Sequence, residues 1–168
     1  KFLYEIIPRY YYLDSAEPLV RDLLIYILDI SKIEYLCLAS NYTLTTDELL
    51  KLKDVIKQLK DEKPIQYILC EADFLDFKFQ VNENILIPRP ETEQLVLLAK
   101  KFLDANSYVP NTILDIGTGS GCIAIAMKKF FPQSNVIGID LSQSAIDLAE
   151  NNAMRYELNV EFYQLDIL

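Results

Sequence analysis

Leu114-Asp115-Ile116-Gly117-Thr118-Gly119-Ser120-Gly121 is the stretch on which the reading of this chain turns. An apolar run from Thr112 to Ile116 enters three alternate glycines and leaves them into Cys122–Phe131, which is apolar at helical spacing. A loop that leaves a strand and turns at once into a helix needs glycine wherever φ is positive or a ligand lies against bare backbone. Downstream, a strand from Val136 to Ile139, a helix from Gln143 to about Tyr156 and a strand from Val160 to Leu165 continue the alternation. Such alternation predicts an α/β fold with a parallel sheet and helices on its faces.

Upstream the period is helical. Pro18 starts a run in which Leu19, Leu23, Tyr26 and Ile27 share one face. A short helix over Lys32 to Ala39 follows, and Thr45-Thr46-Asp47-Glu48 has the spacing of a capping box. Leu49, Leu52, Ile56 and Leu59 then form the expected apolar stripe up to Pro64. Residues 1–64 read as a small helical bundle. Beyond Pro64, Phe77, Phe79 and Val81 alternate with polar residues, and Asn82-Glu83-Asn84 offers turn chemistry before Ile85-Leu86-Ile87. Residues 65–90 are therefore expected to be a linker with a β-hairpin. Residues 91–168 hold the sheet, after a helix whose expected buried stripe is Leu95, Leu98, Ala99 and Phe102.

Glycine-rich turns after a strand also serve dinucleotides, so charge has to discriminate. A dinucleotide loop presents amides to a pyrophosphate, whereas here Asp115 places a carboxylate just before the first glycine. That arrangement suits the ammonium and sulfonium of S-adenosylmethionine, which carries no phosphate. Asp140, at the end of the second strand, stands where such folds put an acid on ribose hydroxyls; the alternative is a helix cap, for which Ser142 is better placed. Asp166 ends the third strand, facing either the adenine amino group or solvent.

Composition narrows the classes. The formal net charge of -9 runs through both halves, and the lysines at 51, 53, 57, 60 and 63 are interleaved with Asp54, Asp61 and Glu62. A nucleic-acid backbone is repelled by such a surface, and a solvated helix face explains the lysines. No apolar run approaches the roughly 18 residues of a membrane span. Three dispersed cysteines and no histidine exclude a disulfide framework and a Cys–His nucleophile, and leave Cys122 as a small buried filler in a cytoplasmic protein. Lys1 begins no signal-like pattern.

Taken in order, Pro64-Ile65-Gln66-Tyr67-Ile68-Leu69, the Phe-rich hairpin, Ile87-Pro88-Arg89-Pro90-Glu91-Thr92-Glu93, the glycine loop and Asp140 resemble the release-factor glutamine methyltransferases, the HemK-type family. The resemblance implies a Rossmann-like, S-adenosylmethionine-dependent methyltransferase domain, preceded by the helical bundle for substrate recognition and the hairpin linker. It implies methylation of the glutamine side-chain amide in the Gly-Gly-Gln motif of peptide chain release factors. By position it puts Gly117, Thr118, Gly119, Ser120 and Gly121 around the methionine part of the cofactor, Asp140 on ribose, and Asp166 and Ile167 beside adenine. Arg89, Pro90 and Thr92 would help close the site, with a surface ion pair from Arg89 to Glu91 or Glu93 as the alternative. The family orients its acceptor with an Asn-Pro-Pro-Tyr motif, which is absent from these residues. The chain accordingly reads as part of a longer enzyme, incomplete at its C-terminus, with no catalytic residue in this segment, inactive alone, and no metal. Cys70 stands where relatives have glycine. The competing readings are a nucleic-acid base methyltransferase of the same fold and a segment that only binds cofactor.

Overall fold

The structure is a computed structural model that describes residues 17–39 and 41–168. It divides into two compact units, Lys1–Leu69 and Cys70–Leu168.

The first unit holds α1 (Glu17–Leu28), α2 (Lys32–Leu36), α3 (Thr46–Lys60) and α4 (Ile65–Leu69). Both interior starts are capped as the spacing demands. Ser31 Oγ accepts the Glu34 amide and Glu34 returns to the Ser31 amide, and Thr45 and Glu48 repeat the box on α3. The core is Val20, Leu23, Ile27, Val55, Leu59, Ile65 and Ile68. Two stripes are rotated from their expected positions. Tyr26 and Leu49 lie exposed, while Val20 and Val55 are buried. α3 turns on Val55 and Leu59, a four-residue pair flanked by Leu52 and Ile56. α3 ends at Lys60, with Asp61 as its C-cap and Glu62 left-handed, and Pro64 then opens α4, its carbonyl accepting the Tyr67 and Ile68 amides, so the chain directly after it is helical.

The second unit begins with a hairpin, β1 (Glu71–Phe74) and β2 (Phe77–Gln80), paired Glu71 to Gln80 and Phe74 to Phe77. The expected hairpin joined Phe77–Val81 to Ile85–Ile87; the true partner of β2 lies upstream. The turn that makes it, Leu75-Asp76, contains no glycine or asparagine. Leu75 holds φ 52°, and its amide donates to Glu93 Oε1 at 2.8 Å, a partner 18 residues away. Asn82-Glu83-Asn84 does turn the chain, with Asn82 Oδ1 accepting the Asn84 amide, but it delivers Ile85 and Ile87 as buried side chains and not as a strand.

After the hairpin come α5 (Pro90–Ala105), β3 (Thr112–Ile116), α6 (Cys122–Phe130), β4 (Asn135–Asp140), α7 (Gln143–Arg155) and β5 (Glu161–Gln164). The strands form a parallel sheet in the order β3-β4-β5. Both crossovers step the same way, which puts α6 and α7 on one face; Leu114, Ile116 and Tyr163 lie exposed on the other. α6 buries Cys122, Ala124, Ile125, Ala126 and Met127, the centre of a core that takes in Phe74, Phe79, Val96, Val136, Ile146, Ala149 and Phe162. The α5 stripe also differs from expectation: Val96 is buried and Leu103 half-buried, while Leu98 is 65% and Phe102 67% exposed. Leu95-Val96-Leu97-Leu98-Ala99 is apolar on every side, so periodicity alone defines no unique face, and packing against α6 selects Val96.

Among the described residues no helix is long and apolar enough to cross a membrane.

Candidate cofactor site

Glycine is scarce in this chain: there are four, and three of them occupy positions 117, 119 and 121. All three have positive φ, at 74°, 55° and 79°. Elsewhere left-handed positions are filled without glycine. Asp29, Glu62, Ser107 and Glu157 each follow a helix end at φ between 50° and 57°, where L-residues pay roughly 1 kcal/mol. The glycine loop therefore needs more than a permissive φ. A Cβ on Gly121 would stand 3.1 Å from Ala149 Cβ and from Ile125 Cδ1, so α7 approaches the loop over bare backbone. A Cβ on Gly117 would meet nothing within 4 Å, so that glycine borders open space.

The loop is pinned to the sheet. The Gly117 and Thr118 amides both donate to the Ile139 carbonyl at 2.9 Å, and the Gly121 amide donates to the Thr118 carbonyl at 2.8 Å. The fourth glycine, Gly138, completes the fit: its Cβ would fall 2.6 Å from the Phe162 ring and 2.8 Å from Thr118 Oγ1. Sequence reasoning passed over Gly138, although a glycine inside a strand signals close approach by another group.

Asp115 is turned into the loop and away from solvent. It is buried, and its Oδ2 accepts the Thr118 hydroxyl at 2.7 Å and the Ala124 amide at 3.2 Å. Burial raises its pKa, the Thr118 and Ala124 hydrogen bonds oppose the rise, and the nearby Asp140 charge adds to it. Its charge was expected to attract the cofactor; its hydrogen bonds buttress the loop and the start of α6. Thr118 and Ser120 are also turned inward, at 4% and 2% exposure, which leaves their backbone alone to line the site. Burial pushes the Cys122 thiol up to about 11, so it is an inert filler.

Asp140 is the carboxylate that reaches the loop. Oδ2 accepts the Gly119 amide at 2.9 Å and Oδ1 the Ser142 amide at 3.0 Å. A carboxylate offers about four acceptor positions, so two remain for hydroxyl donors. Ser142 stands at the N-cap of α7, yet its hydroxyl pairs with Ser144 and caps no amide. Beside Asp140 the structure adds a residue that sequence reasoning missed, Leu141, which exposes 67% of its surface at the same strand end. The Leu165 amide donates to the Asp140 carbonyl, so Asp166 and Ile167 follow next to this end, both exposed, with Asp166 Oδ1 accepting the Leu168 amide.

Upstream, Ile85 roofs the loop: its Cγ2 would lie 3.8 Å from a Cβ on Gly119. Arg89, Pro90 and Thr92 start α5, with Arg89 at the N-cap, Pro90 first in the helix and the Thr92 amide on the Arg89 carbonyl. Among the described residues no hydrogen bond joins these three to the glycine loop, and no ion pair joins Arg89 to Glu91 or Glu93. Bare backbone beside open space, flanked by a carboxylate and an exposed leucine, fits a ligand with hydroxyls and a flat apolar part. Among the described residues no cluster of His, Cys, Asp or Glu could hold a metal ion.

Known proteins resemble this chain in sequence. A family model described as "Methyltransferase domain" matches residues 110–168. A release factor glutamine methyltransferase of Flavobacterium psychrophilum is 47% identical over 134 residues, 79% of this chain and 47% of that protein. The Enterococcus faecalis protein of the same name is 45% identical over 113 residues, 67% of this chain and 40% of the relative. That of Thermodesulfovibrio yellowstonii is 36% identical over 146 residues, 84% and 50%. The chain thus spans about half the length of the curated relatives it matches. With a parallel α/β sheet, a match to a methyltransferase domain over residues 110–168 and these relatives over most of its length, the chain carries part of a methyltransferase fold and is similar to the release factor glutamine methyltransferases.

Proposed function

We propose that this chain carries the cofactor half of an enzyme that transfers a methyl group from S-adenosylmethionine to the glutamine side-chain amide in the Gly-Gly-Gln motif of peptide chain release factors. The observation that carries the reading is the Gly117–Gly121 loop, three left-handed glycines of which Gly117 borders open space, with the Asp140 carboxylate bonded to the Gly119 amide. When bound, S-adenosylmethionine supplies an electrophilic methyl group on a sulfonium.

The chain's own part is binding and orientation. The backbone of Gly117 to Gly121 borders the methionine part, and Asp140 accepts the ribose hydroxyls at its two remaining acceptor positions. Leu141 and Ile167 flank the adenine, and Asp166 accepts its amino group. Arg89, Pro90 and Thr92 close over the site from the start of α5. An amide nitrogen is a poor nucleophile, because its lone pair is delocalised, so rate depends on holding it in line with the methyl group. No strong base is required, which suits a chain without histidine. Residues 1–64 recognise the release factor, and a release-factor substrate implies a cytoplasmic setting. The net charge of -9 disfavours direct nucleic-acid binding.

Calorimetric titration of the chain with S-adenosylmethionine, and methyl-labelling of a release factor or an RNA by the longer enzyme that carries it, test the reading together. Binding is expected, weakened at least about tenfold by Asp140→Asn, since hydrogen bonds to a charged group contribute roughly 1.5–3 kcal/mol. Label on the release-factor glutamine supports the proposal. Label on RNA transfers it to nucleic-acid bases, binding without transfer to either leaves a cofactor-holding segment, and no binding overturns it.

A further inference from the structure

β2 has one edge paired with β1, and its other edge is met by a helix. The Lys78 amide donates to Tyr156 Oη at 2.7 Å and the Lys78 carbonyl accepts from the same hydroxyl at 2.8 Å. Two residues on, the Gln80 amide donates to Asn152 Oδ1 at 2.8 Å and the Gln80 carbonyl accepts from Asn152 Nδ2 at 3.1 Å. The spacing explains the match. Two residues of strand advance about 6.6 Å and four residues of helix about 6 Å, so side chains at 152 and 156 meet backbone groups at 80 and 78 in antiparallel order. α7 and the residue after it act as a surrogate strand for an edge that would otherwise be open.

Asn152 does one thing more. Its Nδ2 also donates to the Ser120 carbonyl at 2.9 Å. That carbonyl and the Gly121 amide belong to one peptide unit, and the amide end is held by the Thr118 carbonyl at 2.8 Å. The peptide that sets Gly121 at φ 79° and opens α6 is thus clamped at both ends. Asn152 is fully buried, both of its amide hydrogens and its oxygen are used, and α7 comes close enough because Gly121 and Ala149 are small. Beyond Gln80 the chain runs to Ile85, the residue that roofs Gly119.

We infer that Asn152 is a positioning residue for the cofactor loop: it locks the Ser120–Gly121 peptide and ties it to the hairpin from which the roofing segment departs. The inference rests on the cofactor-binding reading for its purpose, though not for its geometry. Tyr156 makes the hairpin bonds without touching the loop, and so separates loop positioning from hairpin docking.

The test compares the chain with Asn152→Ala, Asn152→Ser and Tyr156→Phe, each checked for folding by circular dichroism. Native-state amide exchange is followed at Gly117, Gly119 and Gly121 against core amides at Ile125 and Val136. The loop amides of the Asn152 variants should exchange at least tenfold faster relative to the core, while Tyr156→Phe should loosen Lys78 and leave the loop within about threefold. Titration with S-adenosylmethionine should show at least a tenfold loss for the Asn152 variants and at most threefold for Tyr156→Phe. Unchanged loop exchange, or equal loosening by Tyr156→Phe, overturns the inference. If the unsubstituted chain fails to bind S-adenosylmethionine, the cofactor reading falls, and the exchange comparison still judges Asn152.

Discussion

The helical unit and the α/β unit use side-chain hydrogen bonds at different ranges. In the first, Ser31 with Glu34, Thr45 with Glu48, Tyr42 with Glu48 and Asp54 with Gln58 all lie within six residues of each other. In the second, Asn152 and Tyr156 reach strand residues 72 and 78 positions away, and Arg155 reaches Glu71 across 84. Local bonds hold the ends of helices, and rules of spacing find them. Distant bonds hold a hairpin and a ligand loop in one geometry, and no rule of spacing contains them. The difference follows from purpose: a site that fixes several backbone segments at once needs partners from several parts of the chain.

The largest effect should come from a pair of aromatic residues that both read as core. Phe79 is fully buried, edge-to-face with Phe74 at 6.0 Å between ring centroids and close to Phe77 and Tyr156. Phe79→Ala should lose about 3–5 kcal/mol in urea unfolding. Tyr26 has the same apparent rank in the helical unit, yet it lies exposed, and Tyr26→Ala should lose less than about 1 kcal/mol. Similar losses at both sites would show that the apolar pattern, and not the observed packing, ranks these residues.

The glycine loop, the alternation behind it and both capping boxes were legible because each is a short pattern with one physical solution. A strand entering Gly117-Thr118-Gly119-Ser120-Gly121 and leaving as a helix has few other readings, and Thr45 with Glu48 closes on itself. Three kinds of feature were not legible. The apolar faces of α3 and α5 have more apolar residues than they bury, and only a neighbouring element chooses between Leu98 and Val96. The hairpin turn at Leu75-Asp76 is stabilised by Glu93, far along the chain, so its own residues give no signal. Around the glycine loop, Asp115, Thr118 and Ser120 match the pattern but spend their side chains on each other and on α6, while Gly138 and Asn152 contact the loop and Leu141 follows Asp140, and none of these three is part of a motif.

A middle-sized effect sets a distant bond against a local one. Tyr156→Phe removes one hydroxyl, strands the Lys78 amide and leaves the Lys78 carbonyl with only the longer bond from Arg155 Nη1, which should lower stability by about 1–3 kcal/mol. Thr45→Ala removes a cap open to solvent and should lose about 1 kcal/mol. Urea midpoints of the two variants give the order. A larger loss for Thr45→Ala would mean that the α7 bonds to β2 are replaceable by water.

The smallest effect is one of sign, and acid separates the two units by it. In the helical unit the Ser31 amide holds Glu34 below the usual carboxylate range, and the Thr45 amide does the same for Glu48, helped by the Tyr42 hydroxyl. A lowered folded pKa means stability that is present above the unfolded value, near 4.5, and lost as pH falls through the folded one. Asp115 runs the other way, because burial raises its pKa above 3.8. Its folded form takes up a proton before the unfolded form does, so its contribution is full below 3.8 and is lost as pH rises through the raised value. Asp115→Asn removes this titration while keeping an oxygen for Thr118 and Ala124. As pH falls from 6 to 3 the unsubstituted chain should therefore gain stability relative to Asp115→Asn, whereas relative to Glu48→Gln it should lose stability once pH passes below about 4.5. A difference from Asp115→Asn that is flat with pH, or that shrinks as pH falls, would place the Asp115 carboxylate in contact with water and remove it from the buried support of the glycine loop.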